Sequence, residues 1–180
     1  MNYTNVFQLV SSEFPKAGVP FLLIGGFAVN YYKASRSTLD IDFLIAEEDY
    51  GKILSPLKLA GYQEVRKDSL FAKLSHKEPF FMKMDVLFTD RETLTEMLKD
   101  AKEAEIRGAK FKVPSLKHLF AMKLHALKQS GGSRDYKDLL DIMELAQKNQ
   151  VNLKGDEFRE LCLKFGTPEL HQKIIDLQSP

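Results

Sequence analysis

Hydrophobic and polar positions change period several times along the chain, and each change predicts an element. Val6, Phe7, Leu9, Val10 and Phe14 recur at helical spacing, which predicts a first helix over residues 3–15 with Pro15 as its stop. Residues 19–24 form an apolar run too short for a helix and bounded by Gly25-Gly26. That run reads as a buried strand feeding a tight turn, with a helix over 27–33 behind it. A second run, Leu39-Asp40-Ile41-Asp42-Phe43-Leu44-Ile45, has the character of an interior strand apart from its two acids. Glu47, Glu48 and Asp49 stand at a predicted helix start as caps suited to the macrodipole, and Pro56 and Gly61 limit that helix. Residues 62–66, 70–74 and 80–88 read as strands of a meander, followed by a helix over 91–101 and a hairpin over 105–113 that turns at Gly108. Beyond Pro114 every apolar stripe is helical, over 115–128, 134–148, 156–164 and 168–177, with Gly131-Gly132-Ser133 as a loop. The pattern predicts an α+β arrangement, with a mixed core over residues 1–113 and a helical region over 114–180.

Composition changes this picture little. With 44% hydrophobic and 28% charged residues, the chain reads as an ordinary globular protein, and no apolar stretch is long enough to span a bilayer. Residues 1–7 lack a basic region followed by an apolar one, so no secretory signal is read and a cytoplasmic protein is expected. Cys162 is the only cysteine, which excludes an intramolecular disulfide and a thiolate metal cluster and reads as a small buried apolar residue. The net charge of +1 conceals an uneven distribution. Arg107, Lys110, Lys112, Lys117, Lys123, Lys128, Arg134 and Lys137 face a single acid, Asp135, so the remainder of the chain is net negative. Such a segment either attracts a polyanion or simply solvates two helix faces.

The candidate chemistry begins with Asp40 and Asp42. One apolar residue separates them, and a strand alternates its faces, so both carboxylates leave one side while Ile41 and Phe43 leave the other. Two hard oxygen ligands so close suit Mg²⁺ or Mn²⁺ better than Zn²⁺. Asp85 lies in a separate apolar strand, and its convergence on the first two would complete a site for two metal ions. Gly25-Gly26, ending a strand and opening a helix, offers backbone N–H groups to phosphate oxygens. Lys123 sits within the stripe Leu116, Leu119, Phe120 and Leu127, where it either snorkels outward or aims at an anion such as a phosphate. His125 points away from that stripe, and His76, His118 and His171 have no ligand-like spacing. In Arg134-Asp135-Tyr136-Lys137-Asp138-Leu139-Leu140-Asp141, Asp135 reads as a helix cap, Asp138 flanks the apolar stripe and Asp141 reads as solvated.

Taken together, Gly25-Gly26, Arg36-Ser37-Thr38-Leu39-Asp40-Ile41-Asp42, Asp85, Lys123 and Lys137-Asp138 resemble the nucleotidyltransferase superfamily of DNA polymerase β. The likeness, over residues 20–145, is to the AbiEii-type toxin nucleotidyltransferases in particular. The resemblance implies a mixed β-sheet flanked by helices, two Mg²⁺ ions held by Asp40, Asp42 and Asp85, and an NTP whose triphosphate lies over Gly25 and Gly26. It further implies that Lys123 and Asp138 are nucleotide-site residues and that Arg36 and Thr38 steady the loop before the carboxylates. The second glycine is often serine in relatives, so Gly26 gives up one hydroxyl contact to phosphate.

The reading that follows is an Mg²⁺-dependent nucleotidyltransferase that moves an NMP unit from an NTP to an acceptor hydroxyl, with Lys123 balancing charge. Resemblance and the basic segment favour RNA as acceptor, in particular a tRNA 3′ end, in a toxin–antitoxin or phage-defence setting with a cognate antitoxin. A protein hydroxyl, a small-molecule hydroxyl, or a non-catalytic nucleotide- or RNA-binding regulator are the alternatives.

Overall fold

The protein is represented by a computed structural model that describes residues 3–129 and 135–178. The predicted loop Gly131-Gly132-Ser133 and Arg134 lie outside the described residues, and the side chain of Asp135 is likewise outside them. The chain forms two compact units: residues up to Ala28 with Ser37–Ser115, and Val29–Arg36 with the described residues from Leu116 onward. A cut at 113/114 assigns 29–36 to the core. The segment belongs to the helical unit because its own bonds lie there: Asn149 Nδ2 donates to Tyr32 O at 3.0 Å and Ser35 N donates to Glu144 Oε1 at 2.8 Å.

The first unit opens with α1 (Val6–Lys16), capped by Asn5, whose side chain accepts from Gln8 N at 3.1 Å. Pro15 lies inside the last turn rather than beyond it, and the chain leaves the helix through Ala17 and Gly18, the latter at φ +67°. β1 (Phe21–Leu23) leads into α2 (Gly25–Tyr31), within which the boundary between the units falls. β2 (Asp40–Ala46) is followed by a 3₁₀ turn (Glu47–Asp49) and α3 (Tyr50–Leu59). β3 (Gln63–Lys67), β4 (Phe71–Ser75) and β5 (Lys83–Thr89) complete the sheet, and α4 (Arg91–Lys99) and the hairpin β6 (Lys102–Ile106) and β7 (Ala109–Val113) close the unit.

The five-stranded sheet runs in the order β1-β2-β5-β4-β3, parallel only between β2 and β5. Ile41, Phe43 and Ile45 on one face of β2 are fully buried with Met84, Val86, Ala72 and Leu74 of the neighbouring strands. Phe14, Phe21, Phe43 and Phe111 extend this core through ring contacts 5.1–6.3 Å apart. The period-2 pattern thus separates a filled face from the face that carries Asp40, Asp42 and Asp85.

The acids before α3 do not act as caps. Asp49 makes no capping bond and is 1% exposed, held by Lys52 Nζ at 2.8 Å and Arg91 NH2 at 2.5 Å. Burial pushes its carboxyl upward, but the hydrogen bonds from Lys52 and Arg91 outweigh it and leave the group below its ordinary value. A lowered folded pKa adds stability above the unfolded carboxylate pKa, and that stability is lost as pH falls through the folded value. Acid titration followed by far-ultraviolet circular dichroism is therefore expected to show Arg91→Met unfolding at higher pH than wild type. Coincident titrations would remove this pair as a determinant of acid stability.

The second unit packs α5 (Leu116–Gln129), α6 (Asp135–Lys148), α7 (Asp156–Phe165) and α8 (Pro168–Gln178). Leu119, Phe120, Leu124, Leu139, Ile142, Leu145, Phe158 and Ile174 are buried there, and Phe120 meets the ring of Phe158 edge-on at 5.4 Å. Cys162 is fully buried and its thiol is pushed up to about 12 by that burial, which leaves it in the unreactive thiol form. Among the described residues no helix is long and apolar enough to cross a membrane.

Candidate active site

In the first unit the carboxylates are brought together by strand register. Asp42 is the direct partner of Asp85 in the parallel β2/β5 ladder, and Asp40 is two residues before Asp42 on the same face. Asp40 is exposed, whereas Asp42 and Asp85 are half-buried. Asp85 directs Oδ2 to Lys73 Nζ at 2.9 Å, because Lys73 of β4 is its register partner on the other side. Among the described residues no three acidic, histidine or cysteine side chains are gathered closely enough to hold a metal ion. The three carboxylates therefore share one face without forming a closed cage.

The glycine turn is built against one of these acids, Asp42. Ile24 N donates to Asp42 O at 2.9 Å, so the end of β1 is tied to the acid-bearing strand. Gly25 has φ +60°, and a Cβ there would overlap the Asp42 carboxylate, 2.5 Å from Cγ and nearer still to Oδ2. At Gly26 a Cβ would lie 2.7 Å from Thr38 Cβ and 2.8 Å from its Oγ1. Both glycines are therefore required by neighbouring protein side chains, a constraint beyond the tight turn and the phosphate contact expected from the sequence. Any side chain at 26, serine included, would have to displace Thr38. Thr38 also donates Oγ1 to Asp40 O at 2.9 Å and so steadies the approach to β2.

The second unit, taken by itself, holds Lys123, Asp138 and Arg36, the other residues singled out from the sequence. Lys123 is 7% exposed, with Nζ 2.7 Å from Asp138 Oδ1 and 2.6 Å from Asp141 Oδ2. Arg36 reaches the same Asp141 oxygen through NH1 at 2.5 Å, while its buried Nε has no partner among the described residues. Asn30 clamps the Arg36 backbone, donating Nδ2 to its O at 2.9 Å and accepting from its N at 2.8 Å. The anions that Lys123 meets here are thus two aspartates of its own unit.

Asp141, read from sequence as solvated, is 5% exposed and joins both cations. The missed signal was periodicity: Asp138, Asp141, Ile142 and Leu145 follow one helical stripe, and the last two are fully buried. His125 is exposed as expected, as are Arg107, Lys110, Lys112, Lys117, Lys128 and Lys137 of the basic segment; among its described residues Lys123 is the buried exception.

Comparisons with known proteins bear on the fold and the family of the chain. The family model for the nucleotidyl transferase AbiEii toxin of type IV toxin–antitoxin systems matches residues 9–179. No match is found among curated protein sequences. Among solved structures, ANT(2″)-Ia in complex with adenylyl-2″-tobramycin is 14% identical at a TM-score of 0.61, with 96% of each chain covered. An antigenic nucleotidyltransferase-like protein from Paracoccidioides brasiliensis is 18% identical at 0.59, covering 96% of this chain and 88% of the other. The Megavirus polyadenylate synthase is 15% identical at 0.55, covering 83% of this chain and 32% of that enzyme. These likenesses establish the fold, and the family match, spanning nearly the whole sequence, establishes the enzyme class. The chain belongs to the AbiEii toxin nucleotidyltransferase family.

Proposed function

We propose that the protein transfers an NMP unit from an NTP to the 3′-terminal hydroxyl of an RNA, with tRNA the favoured acceptor, in a toxin–antitoxin setting; the acceptor oxygen bonds the α-phosphorus, the α–β P–O bond breaks and pyrophosphate leaves. The observation that carries this reading is the register of Asp42 with Asp85, which sets three carboxylates on one face of the sheet with Asp42 against the Gly25 turn. An all-oxygen donor set of this kind fits a hard divalent cation, and Asp40, Asp42 and Asp85 would hold Mg²⁺, or Mn²⁺ in its place. Two such ions would neutralise charge on the phosphates and favour deprotonation of the acceptor hydroxyl. Asp85 would have to release Lys73 to join that set.

The chain's own residues would do the positioning. Gly25 and Gly26 allow backbone N–H groups to approach the triphosphate, and Thr38 keeps the turn and β2 in fixed relation. Lys123 and Asp138 serve the nucleotide in this reading, as the resemblance implies, with Arg36 and Asp141 restraining them. RNA as acceptor is supported by the exposed lysines of the basic segment and by the toxin family itself. An antitoxin partner follows from the same family description.

The test is incorporation of label from each of four NTPs, supplied separately, into total RNA, protein and small-molecule fractions of a cell extract. Label in RNA that requires Mg²⁺ and disappears with EDTA is the expected result. Label confined to protein or small molecules would overturn the RNA acceptor, and nucleotide binding without any label would favour the regulatory alternative.

A further inference from the structure

Asp85 stands in the middle of the sheet, and the two sides of it differ in chemistry. Toward β1 lies the Gly25 turn, to which the reading above assigns the donor triphosphate. Toward β4 and β3 the same face carries Lys73, Phe71 and Arg66. Lys73 is the register partner of both Asp85 and Arg66, and Phe71 lies two residues before Lys73 on β4. Faces alternate along a strand, so these three side chains share the carboxylate face.

They form one group. The Arg66 guanidinium carbon lies over the Phe71 ring, 5.0 Å from its centre, and Lys73 Nζ lies 5.6 Å from the same centre. The Arg66 side chain is 65% exposed and that of Lys73 39% exposed. The ring's backbone is held by the β3–β4 turn, where Asp68 Oδ1 accepts from Leu70 N at 2.9 Å and Phe71 N at 3.1 Å, and Asp68 N donates to Phe71 O at 2.9 Å. Arg66 also meets Asp68 Oδ2 at 3.2 Å.

We propose that this strip of Arg66, Phe71 and Lys73 seats the single-stranded end of the nucleic-acid acceptor, on the opposite side of the carboxylates from the donor. A planar guanidinium supported on an aromatic ring is a surface on which a nucleobase stacks without regard to its identity, and an adjacent cation holds backbone phosphate. The strip also supplies positive charge next to acids that would otherwise repel a polyanion. The proposal rests on RNA being the acceptor and adds where its terminal nucleotides lie.

Binding of a fluorescent single-stranded oligoribonucleotide with a free 3′ end to the full chain, measured by anisotropy without NTP, tests it. Phe71→Leu, which keeps bulk but loses the ring, is expected to weaken binding about tenfold, and Phe71→Tyr to restore it. Arg66→Ala is expected to weaken binding and to lower the slope of log affinity against log salt by about one. Unfolding temperatures of the variants and their affinity for a fluorescent NTP should stay near wild type. Wild-type affinity in both Phe71→Leu and Arg66→Ala would overturn the strip while leaving RNA labelling intact. A wild type that labels no RNA would fail the underlying reading instead.

Discussion

Asp40→Ala and Asp42→Ala are each expected to lower the initial rate of NMP incorporation about a thousandfold or more. On the function proposed above the two carboxylates would hold a hard cation, and loss of one ligand from such a site removes several kcal/mol of transition-state stabilisation, each 1.4 kcal/mol or so being a factor of ten in rate. Neither change should unfold the chain. Asp40 is exposed, and the tie between Ile24 and Asp42 runs through the backbone, which alanine preserves. The check is the incorporation rate alongside the thermal unfolding midpoint. The double variant should be little worse than either single one, since on the proposed function the two carboxylates would serve one site as a unit. Rates within tenfold of wild type in both single variants would remove the pair from the chemistry.

The second large effect is on stability. Lys123, Asp138, Asp141 and Arg36 form a largely buried group in which two cations meet two carboxylates. Lys123→Met leaves two aspartates, three residues apart on one helix, with Arg36 as the remaining cation of the group. Breaking a buried pair by deleting one partner costs about 3–5 kcal/mol, because the orphaned charge stays desolvated. Urea unfolding should show that loss as a lower midpoint at unchanged slope. Adding Asp138→Asn should cost less than the sum of the two single changes, because within this group Asp138 pairs with Lys123 whereas Asp141 keeps Arg36, and the second substitution removes the charge that the first one stranded. A shift below about 1 kcal/mol in Lys123→Met would mean that the group behaves as a solvated surface pair.

The elements of this fold were legible because each rests on local chemistry. The helical stripe of Val6, Phe7, Leu9, Val10 and Phe14, the β7 alternation of Ala109, Phe111 and Val113 with outward Lys110 and Lys112, and the four stripes after Pro114 all appear where periodicity put them. Pro15 inside α1 shows the limit of such reading. Proline was taken as a stop, yet the last turn accommodates it, and Gly18 at positive φ carries the chain away. Asp49 shows another limit, since its partner Arg91 is 42 residues away and no local rule ranks that bond above a cap.

Alternation along the strands and spacing along the helices determined which side chains share a face: Asp40 with Asp42, and Lys123 with the stripe of α5. Those are backbone periods, and they can be counted from the order of residues. Which face meets which was decided only by the tertiary arrangement. The parallel register that sets Asp42 beside Asp85, the Asp42 and Thr38 side chains that leave no room for a Cβ at Gly25 and Gly26, and the placing of Asp141 between Lys123 and Arg36 all join residues far apart in the chain. Register and long-range pairing depend on how separate elements stack, and no period within one segment encodes the position of another.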